Sequence, residues 1–392
     1  MRPGADVIVV GGGIIGCATA AELARGGAEV LLLERAEIAS AASGRNHGLL
    51  FYPLDEITAP LYRASHEIYR ELAAEGPIDF ALDELPRGFV IAVASEEQWP
   101  AAKREATACA AGNVRVERLD ADSLREAEPA LAEGHLGAYW IDDGYRLDPA
   151  ALTLAFALEA SRAGAEVVTH CDVKQVLVEA GRVTGVASDR GIVSARVVVD
   201  AAGPWAPRLA RSFGADLPLT GARGWLLLTR ALPPLTNHLI ESSGWHLTAG
   251  EAGPPPVTVG RYARGELPPA PDIGLLVQQN RSGHVLLGGS RLTSLREDPE
   301  GHEVTIEIAR RAVATVPALA GAPIEGVWSG VRPMSSDGRP LVGWLAGTEG
   351  FFVAGGHGGQ GVMLGGGSGR LATQMILGHH PFTDPAPFRP DR

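Results

Sequence analysis

Three glycines spaced Gly11-x-Gly13-x-x-Gly16 follow the apolar run Val7-Ile8-Val9-Val10, and Glu34 closes the next such run, Val30-Leu31-Leu32-Leu33. Those residue types in that order can grip a dinucleotide. Gly11 allows a tight strand-to-helix turn, Gly13 lets the backbone approach a pyrophosphate, and Gly16 lets helix and strand lie close. Ile14 and Ile15 lie within the motif, before the amphipathic stretch Cys17–Arg25, and the helix N-terminus offers unpaired N–H groups and partial positive charge to phosphate. Glu34, with Arg35 beside it, is placed to accept from a ribose hydroxyl. Two more glycine-rich stretches lie far downstream, Ala201-Ala202-Gly203-Pro204-Trp205 and Gly355 to Gly369. A nicotinamide enzyme usually completes its cofactor site within one contiguous domain, so three separated stretches point to a longer cofactor that touches all of them.

These loops need strands and helices to hold them. Residues 2–35 read as β-α-β, and a second block of the same character runs from Leu152 through Ala155–Ala160 to Glu166-Val167-Val168. Two short strands follow, Val176–Glu179 and Val183–Ala187, and then a buried parallel strand from Ala195 to Asp200 that ends in the glycine turn. Between the two blocks, residues 51–147 carry a helical segment around Leu61–Ala74, a strand Phe89–Val93 and a charged helix Pro100–Ala111. Residues 213–325 show short strand-like runs, Trp225–Thr229, Leu275–Gln279 and Val285–Gly288, punctuated by Pro254–Pro256 and Pro268-Pro269, with an amphipathic helix Val304–Val316. The C-terminal section gives a strand Phe351–Ala354, the glycine loop, and a helix Arg370–Leu377. The expected fold is α/β plus α+β. A Rossmann-like unit is built from residues 1–50, 148–212 and 326–380, a substrate-binding unit with a mixed or antiparallel sheet from 51–147 and 213–325, and 381–392 form a surface tail.

With 392 residues and 45% apolar content, the chain can bury a sizeable core. A formal charge of −12 argues against a nucleic-acid partner, which calls for a basic face. The first strand opens near Val7, leaving no room for a secretory signal, and no apolar run reaches the ~18–20 residues that span a bilayer. A cytoplasmic protein is expected. Cys17, Cys109 and Cys171 never form Cys-x-x-Cys, so neither a metal centre nor a disulfide framework is indicated, and Lys103 and Lys174 are the only lysines.

Four motifs in this order resemble the FAD-dependent amine and amino-acid oxidoreductase superfamily that includes D-amino acid oxidase, glycine oxidase, sarcosine oxidase and D-amino acid dehydrogenases, over nearly the whole length. They are Gly11–Gly16 with Glu34-Arg35; Ala42-Ser43-Gly44-Arg45-Asn46-His47-Gly48; Asp200-Ala201-Ala202-Gly203-Pro204-Trp205; and Trp328–Gly343 followed by Gly355-Gly356-His357-Gly358-Gly359-Gln360-Gly361. The resemblance implies FAD as cofactor. It implies contacts from the first motif, from Ala42, Ser43, Arg45, Asn46, His47 and Gly48, from Val173, from Ala202, Gly203 and Trp205, from Arg332, and from Gly356 through Gly361 with Val362 and Met363. Reduction of a flavin leaves negative charge near its pyrimidine edge, which N–H groups of Val362 and Met363 would stabilise.

Arg332, in Gly330-Val331-Arg332-Pro333, matches an arginine that binds the substrate carboxylate in glycine oxidase-like members, and a planar guanidinium suits that task. A second substrate arginine of glycine oxidase matches Gly359 and is missing. His47 matches a flavin-side histidine of the sarcosine oxidase branch, but Phe51 stands where that branch has an arginine. His357 fits a ring-packing or backbone-orienting role better than general base catalysis; Arg332, His47 and His357 are the candidate catalytic residues. The cysteine that attaches flavin covalently in sarcosine oxidases matches Gly330, and the corresponding histidine of dimethylglycine dehydrogenase falls closer to Arg45, so FAD is expected to be non-covalent. The oxygen-activating lysine of that family matches Met363, which favours a dehydrogenase or a lysine-free oxidase.

The reaction implied is oxidation of the C–N bond of an amino acid or N-alkyl amino acid, of the glycine, sarcosine or D-amino acid kind, to an imine by hydride transfer to flavin N5, followed by hydrolysis. The alternatives are a hydroxy acid or polyol dehydrogenase, the catalytic subunit of a hetero-oligomeric amino-acid dehydrogenase that passes electrons to a partner, and a flavin-binding sensor without catalysis. A homo-oligomer is compatible with each. Trp225, His246 and Tyr262 are further candidates for the substrate side.

Overall fold

The computed structural model describes residues 1–51, 56–84, 88–242, 272–292 and 301–392. His246 and Tyr262 lie outside them. Strands and helices are numbered in chain order. One sheet contains β1 (Gly4–Val10), β2 (Val30–Leu33), β9 (Glu166–Val168), β10 (Val173–Glu179), β11 (Arg182–Ser188), β12 (Gly191–Asp200), β18 (Leu341–Trp344) and β19 (Phe351–Gly355). Its order is β10-β11-β12-β1-β2-β9, with β19 also beside β12 and β18 beside β19. The central pairs β12–β1, β1–β2, β2–β9 and β12–β19 are parallel. Ile8, Val9 and Leu31 are fully buried, as expected of strands covered on both faces.

Among the described residues, four long helices cover this sheet or flank it, α1 (Ile14–Arg25), α2 (Ala59–Glu75), α5 (Pro149–Arg162) and α8 (Gly361–Ile376), and a short one that follows β12 packs Ala206, Leu209 and Ala210 against Ile8, Val10 and Leu31. Helix α5 starts where Asp148 accepts from the N–H groups of Ala150 and Ala151 and Pro149 occupies the first turn. Small residues on α1, Cys17, Ala18, Ala20 and Ala21, are fully buried and let neighbouring helices approach.

A second eight-stranded sheet has the order β17-β13-β16-β15-β14-β5-β7-β6. Its strands are β5 (Phe89–Val93), β6 (Val116–Asp120), β7 (Gly137–Ile141), β13 (Leu219–Thr229), β14 (Leu239–Ser242), β15 (Asp272–Gln279), β16 (Val285–Arg291) and β17 (Ile324–Ser335). It is mixed, because β14 and β5 run parallel while the other pairs are antiparallel. A small third sheet joins β3 (Leu49–Leu50), β8 (Tyr145–Arg146) and β4 (Asp83–Glu84). The remaining helices are α3 (Trp99–Ala111), α4 (Ala121–Ala127), α6 (Ala206–Arg211) and α7 (Gly301–Thr315). On α7 the buried stripe is Val304, Ile308 and Ala312, and Ile306 faces outward, 50% exposed.

Several expectations shift. Helix α2 falls in the segment 51–147 assigned to the substrate unit, yet Leu61, Ile68, Tyr69 and Leu72 pack into the same core as α1 and α8. Residues 326–335, assigned to the nucleotide unit, pair with β13 in the second sheet, so the boundary at 326 cuts through β17. The C-terminal helix starts at Gly361 and not near Arg370; its glycine run suggests a loop by composition, because glycine is a poor helix former. Residues 381–392 are no loose tail: Phe388 is fully buried, and Arg392 donates to Asp337 and to the carbonyl of Pro340. Trp225 packs in the second core against Gly301 and is structural.

Candidate functional site

β1 and β12 end side by side at Val10 and Asp200. Their following turns open a cleft at the carboxyl edge of the first sheet, the edge where doubly wound folds bind ligands. Gly11 adopts φ +119°, and a Cβ there would run into the carbonyl of Ala201, so the turn tolerates no side chain. Glu34 accepts from the N–H groups of Gly12 (2.6 Å) and Ala36 (2.8 Å), which fixes its carboxylate at the end of β2. The guanidinium of Arg35 lies 3.7 Å from the Trp205 ring centroid.

The loop 42–48 is stapled to α1 by a hydrogen bond from Ile14 N–H to Ser43 Oγ (2.9 Å). Asn46 lines the cleft and shapes the loop: its amide donates to the carbonyls of Ala42 and Ser43, and its oxygen accepts from Gly48 N–H. Arg45 donates to Ser329 O of β17 at 3.0 Å, tying this loop to the second sheet.

Of the catalytic and cofactor residues singled out from the sequence, all but Gly16 and Gly356 line this one cleft. Gly16 sits against the carbonyl of Gly11, and Gly356 is packed among Leu219, Leu341 and Ser335, so both serve close packing. The second sheet closes the cleft. Arg332, on β17, donates from Nη1 to Ser290 O at 2.9 Å and lies across Gly224 of β13, where a Cβ would stand 2.5 Å from that nitrogen. Half-buried His47 meets Gln278 of β15 through Nδ1 at 3.2 Å. Burial pushes its imidazole down to about 4 against that hydrogen bond, and the nearby Arg332 charge lowers it further.

His357 is buried, with Nε2 2.9 Å from Ser368 Oγ on α8. Burial lowers its imidazole to about 3, so it is neutral and weakly basic at pH 7. Helix α8 begins just beyond, with Leu364 N–H bonded to Gln360 O. The N–H groups of Gly361, Val362 and Met363 therefore occupy the first turn, which lacks intrahelical acceptors. Among the described residues nothing donates to the buried Oε1 of Gln360.

Sequence reasoning missed Gly224, Leu226, Leu276 and Arg291, which line the cleft from the second sheet, and Gln278, which meets His47 at the cleft wall. No local motif marks them, because their place depends on strand pairing, and β13, buried from Gly221 through Leu227, shows no alternation that would tell its two faces apart. Lys174 also lines the cleft, ion-paired to Asp172, next to Val173.

Asp200 is fully buried. One oxygen accepts from Ala202 N–H at 3.1 Å, the other has no partner among the described residues, and burial pushes the carboxyl up to about 8. A carboxyl raised on folding binds a proton more tightly in the folded state, so stability falls as pH rises from about 4 to about 8. Asp200→Asn removes that dependence. Denaturant titration is expected to show the variant gaining on the parent by on the order of 1 kcal/mol per pH unit across the window, and matching it below pH 4. Parallel pH profiles for the two proteins would refute the buried-acid assignment.

Among the described residues no helix is long and apolar enough to cross a membrane. The chain is 26% identical over 403 residues to a glycine oxidase of Pseudomonas putida, covering 98% of each. It is 28% identical to a glycine oxidase of Bacillus licheniformis, covering 97% of this chain and 95% of that one. The fold superposes on the crystal structure of glycine oxidase from Geobacillus kaustophilus with a TM-score of 0.85 and 25% identity, over 100% of this chain and 99% of the other. A family model described as FAD dependent oxidoreductase, DAO, matches residues 6–375, and the chain therefore belongs to the DAO family of FAD-dependent oxidoreductases.

Proposed function

We propose that this protein oxidises the C–N bond of a small amino acid or N-alkyl amino acid to an imine that water then hydrolyses. The observation that carries this reading is the position of Arg332: its guanidinium is held over Gly224 in the same cleft as the glycine loop of β1 and the first turn of α8. Two near-full-length relatives named glycine oxidase support it.

The residues present suit FAD. The turn after β1 and the N-terminus of α1 would hold the pyrophosphate, Glu34 a ribose hydroxyl, and the Arg35–Trp205 stack would flank the adenosine end. The unsatisfied Gln360 Oε1 and the free first-turn N–H groups of α8 would meet the hydrogen-bonding edge of the ring system. Bound FAD supplies a two-electron acceptor. Arg332 then holds the substrate carboxylate by parallel hydrogen bonds and fixes which bond faces the ring. His47 gives a neutral wall toward Gln278, and His357 orients the loop before α8 through Ser368. We assign the cofactor to the unit built on the first sheet together with α2, and the substrate face to β13, β15, β16 and β17.

An anaerobic panel of glycine, sarcosine, D-amino acids, proline derivatives and hydroxy acids tests the reading. An amino compound is expected to bleach the visible band of the bound flavin. Bleaching by hydroxy acids alone would replace C–N with C–O oxidation. With Gly330 at the cysteine position, we also expect acid precipitation to release the FAD into the supernatant; colour that stays with the pellet would mean a covalent bond.

A further inference from the structure

Helix α2 carries none of the motifs, yet it touches the glycine-rich turns of α8. The Tyr69 hydroxyl donates to Val362 O at 2.7 Å and accepts from Gly366 N–H at 3.2 Å. One turn earlier on α2, Ser65 Oγ accepts from Gly367 N–H at 2.8 Å. Both side chains are buried. The approach depends on the run Gly365-Gly366-Gly367: a Cβ at Gly366 would stand 3.1 Å from the Tyr69 ring and 3.2 Å from Ser65 Cα, and one at Gly365 3.2 Å from the Tyr69 hydroxyl. Glycines are poor helix formers, and three in succession inside α8 serve this contact.

The carbonyl that Tyr69 engages and the N–H of Met363 belong to one peptide unit. Met363 is the third residue of α8, where the N–H has no acceptor within the helix, and it lines the cleft. A hydrogen bond accepted at a carbonyl polarises the amide and strengthens the N–H at its other end. We propose that Tyr69 is a positioning residue for the cofactor: through Val362 it orients and strengthens the Met363 N–H that meets the negative charge gained by the flavin on reduction. This rests on the placement of the α8 first turn at the flavin ring given above. Filling space does not require the hydroxyl, because a phenylalanine would occupy the same volume beside Phe156, whose ring centroid is 5.9 Å away.

The test is Tyr69→Phe in the FAD-loaded protein, read by the flavin midpoint potential and by the affinity for sulfite, followed as bleaching of the visible band. Loss of the donated hydrogen bond is expected to weaken sulfite binding about fivefold and to lower the two-electron potential by about 20 mV, the same factor at ~30 mV per tenfold. A ring-fluorinated tyrosine placed at position 69 alone has a more acidic hydroxyl, so both readouts should move the opposite way. Ser65→Ala, which loses a contact to the Gly367 amide, is expected to lower the melting temperature and leave the potential in place. The inference is overturned if the potential and sulfite affinity of Tyr69→Phe match the parent while only its melting temperature falls. It is overturned too if Ser65→Ala shifts the potential as far as Tyr69→Phe does, or if the fluorinated residue moves it in the same direction as phenylalanine. Should Tyr69→Phe not retain FAD, the fluorinated protein decides. Failure of the parent protein to bind FAD at all would instead remove the reading of the cleft.

Discussion

Arg332→Met is expected to lower kcat/KM for the amino-acid substrate by about 30- to 3000-fold, while the visible spectrum of the bound flavin stays that of the parent. The range corresponds to the ~2–5 kcal/mol typically lost when one partner of a buried charge pair is truncated, at about 1.4 kcal/mol per tenfold. Methionine keeps most of the aliphatic stem but loses the guanidinium that lies over Gly224, and with it every donor for Ser290 or for a carboxylate. Arg332→Lys should recover only part of the loss, since an ammonium cannot reproduce the planar pair of parallel donors. Steady-state kinetics on the substrate found in the anaerobic panel give the answer, and an unaltered KM would take Arg332 out of the substrate site.

Gly13→Leu should yield a folded but colourless protein. Gly13 precedes α1 with φ −79° and ψ 174°, a conformation open to any residue, so the fold does not depend on a missing side chain there. The cleft does. A Cβ at Gly13 would already stand 3.0 Å from Ser43 Oγ, the atom that staples the 42–48 loop to the start of α1, and the rest of a leucine would occupy the approach to the phosphates. Flavin content from the ratio of visible to ultraviolet absorbance, beside a circular dichroism spectrum, separates the two effects. A yellow, stoichiometrically loaded variant would show that the pyrophosphate does not pass over Gly13.

The first turn, Glu34 and the parallel strands were legible because each is specified within a few residues: an apolar run, a glycine, a helix start. The 42–48 loop and the Arg332 strand were found through their motifs, but what their side chains do was not written locally. Asn46 lines the cleft and also closes its own loop, a second use that only the folded positions of Ala42, Ser43 and Gly48 reveal. Gly224, Gln278 and Arg291 escaped because strands set faces by register, and the register of β13 against β16 and β17 depends on pairing across long stretches of sequence. Composition misled at two places. Glycines 365–367 read as loop while tertiary contact with α2 makes them helix, and the proline-rich end read as a tail while Phe388 fills the core.

The cleft draws its lining from positions as far apart as Val10 and Met363, and this has a bearing on how the protein comes into being. While the ribosome is still making the chain, the segment that forms the amino-terminal turn exists without β19, α8 or the strand that carries Arg332. At ~5–20 residues per second, many seconds pass before those parts emerge. Flavin capture must therefore wait until translation is nearly over. A ligand that binds only the folded form stabilises it by mass action, so cells short of the vitamin precursor should accumulate an empty, more protease-sensitive form.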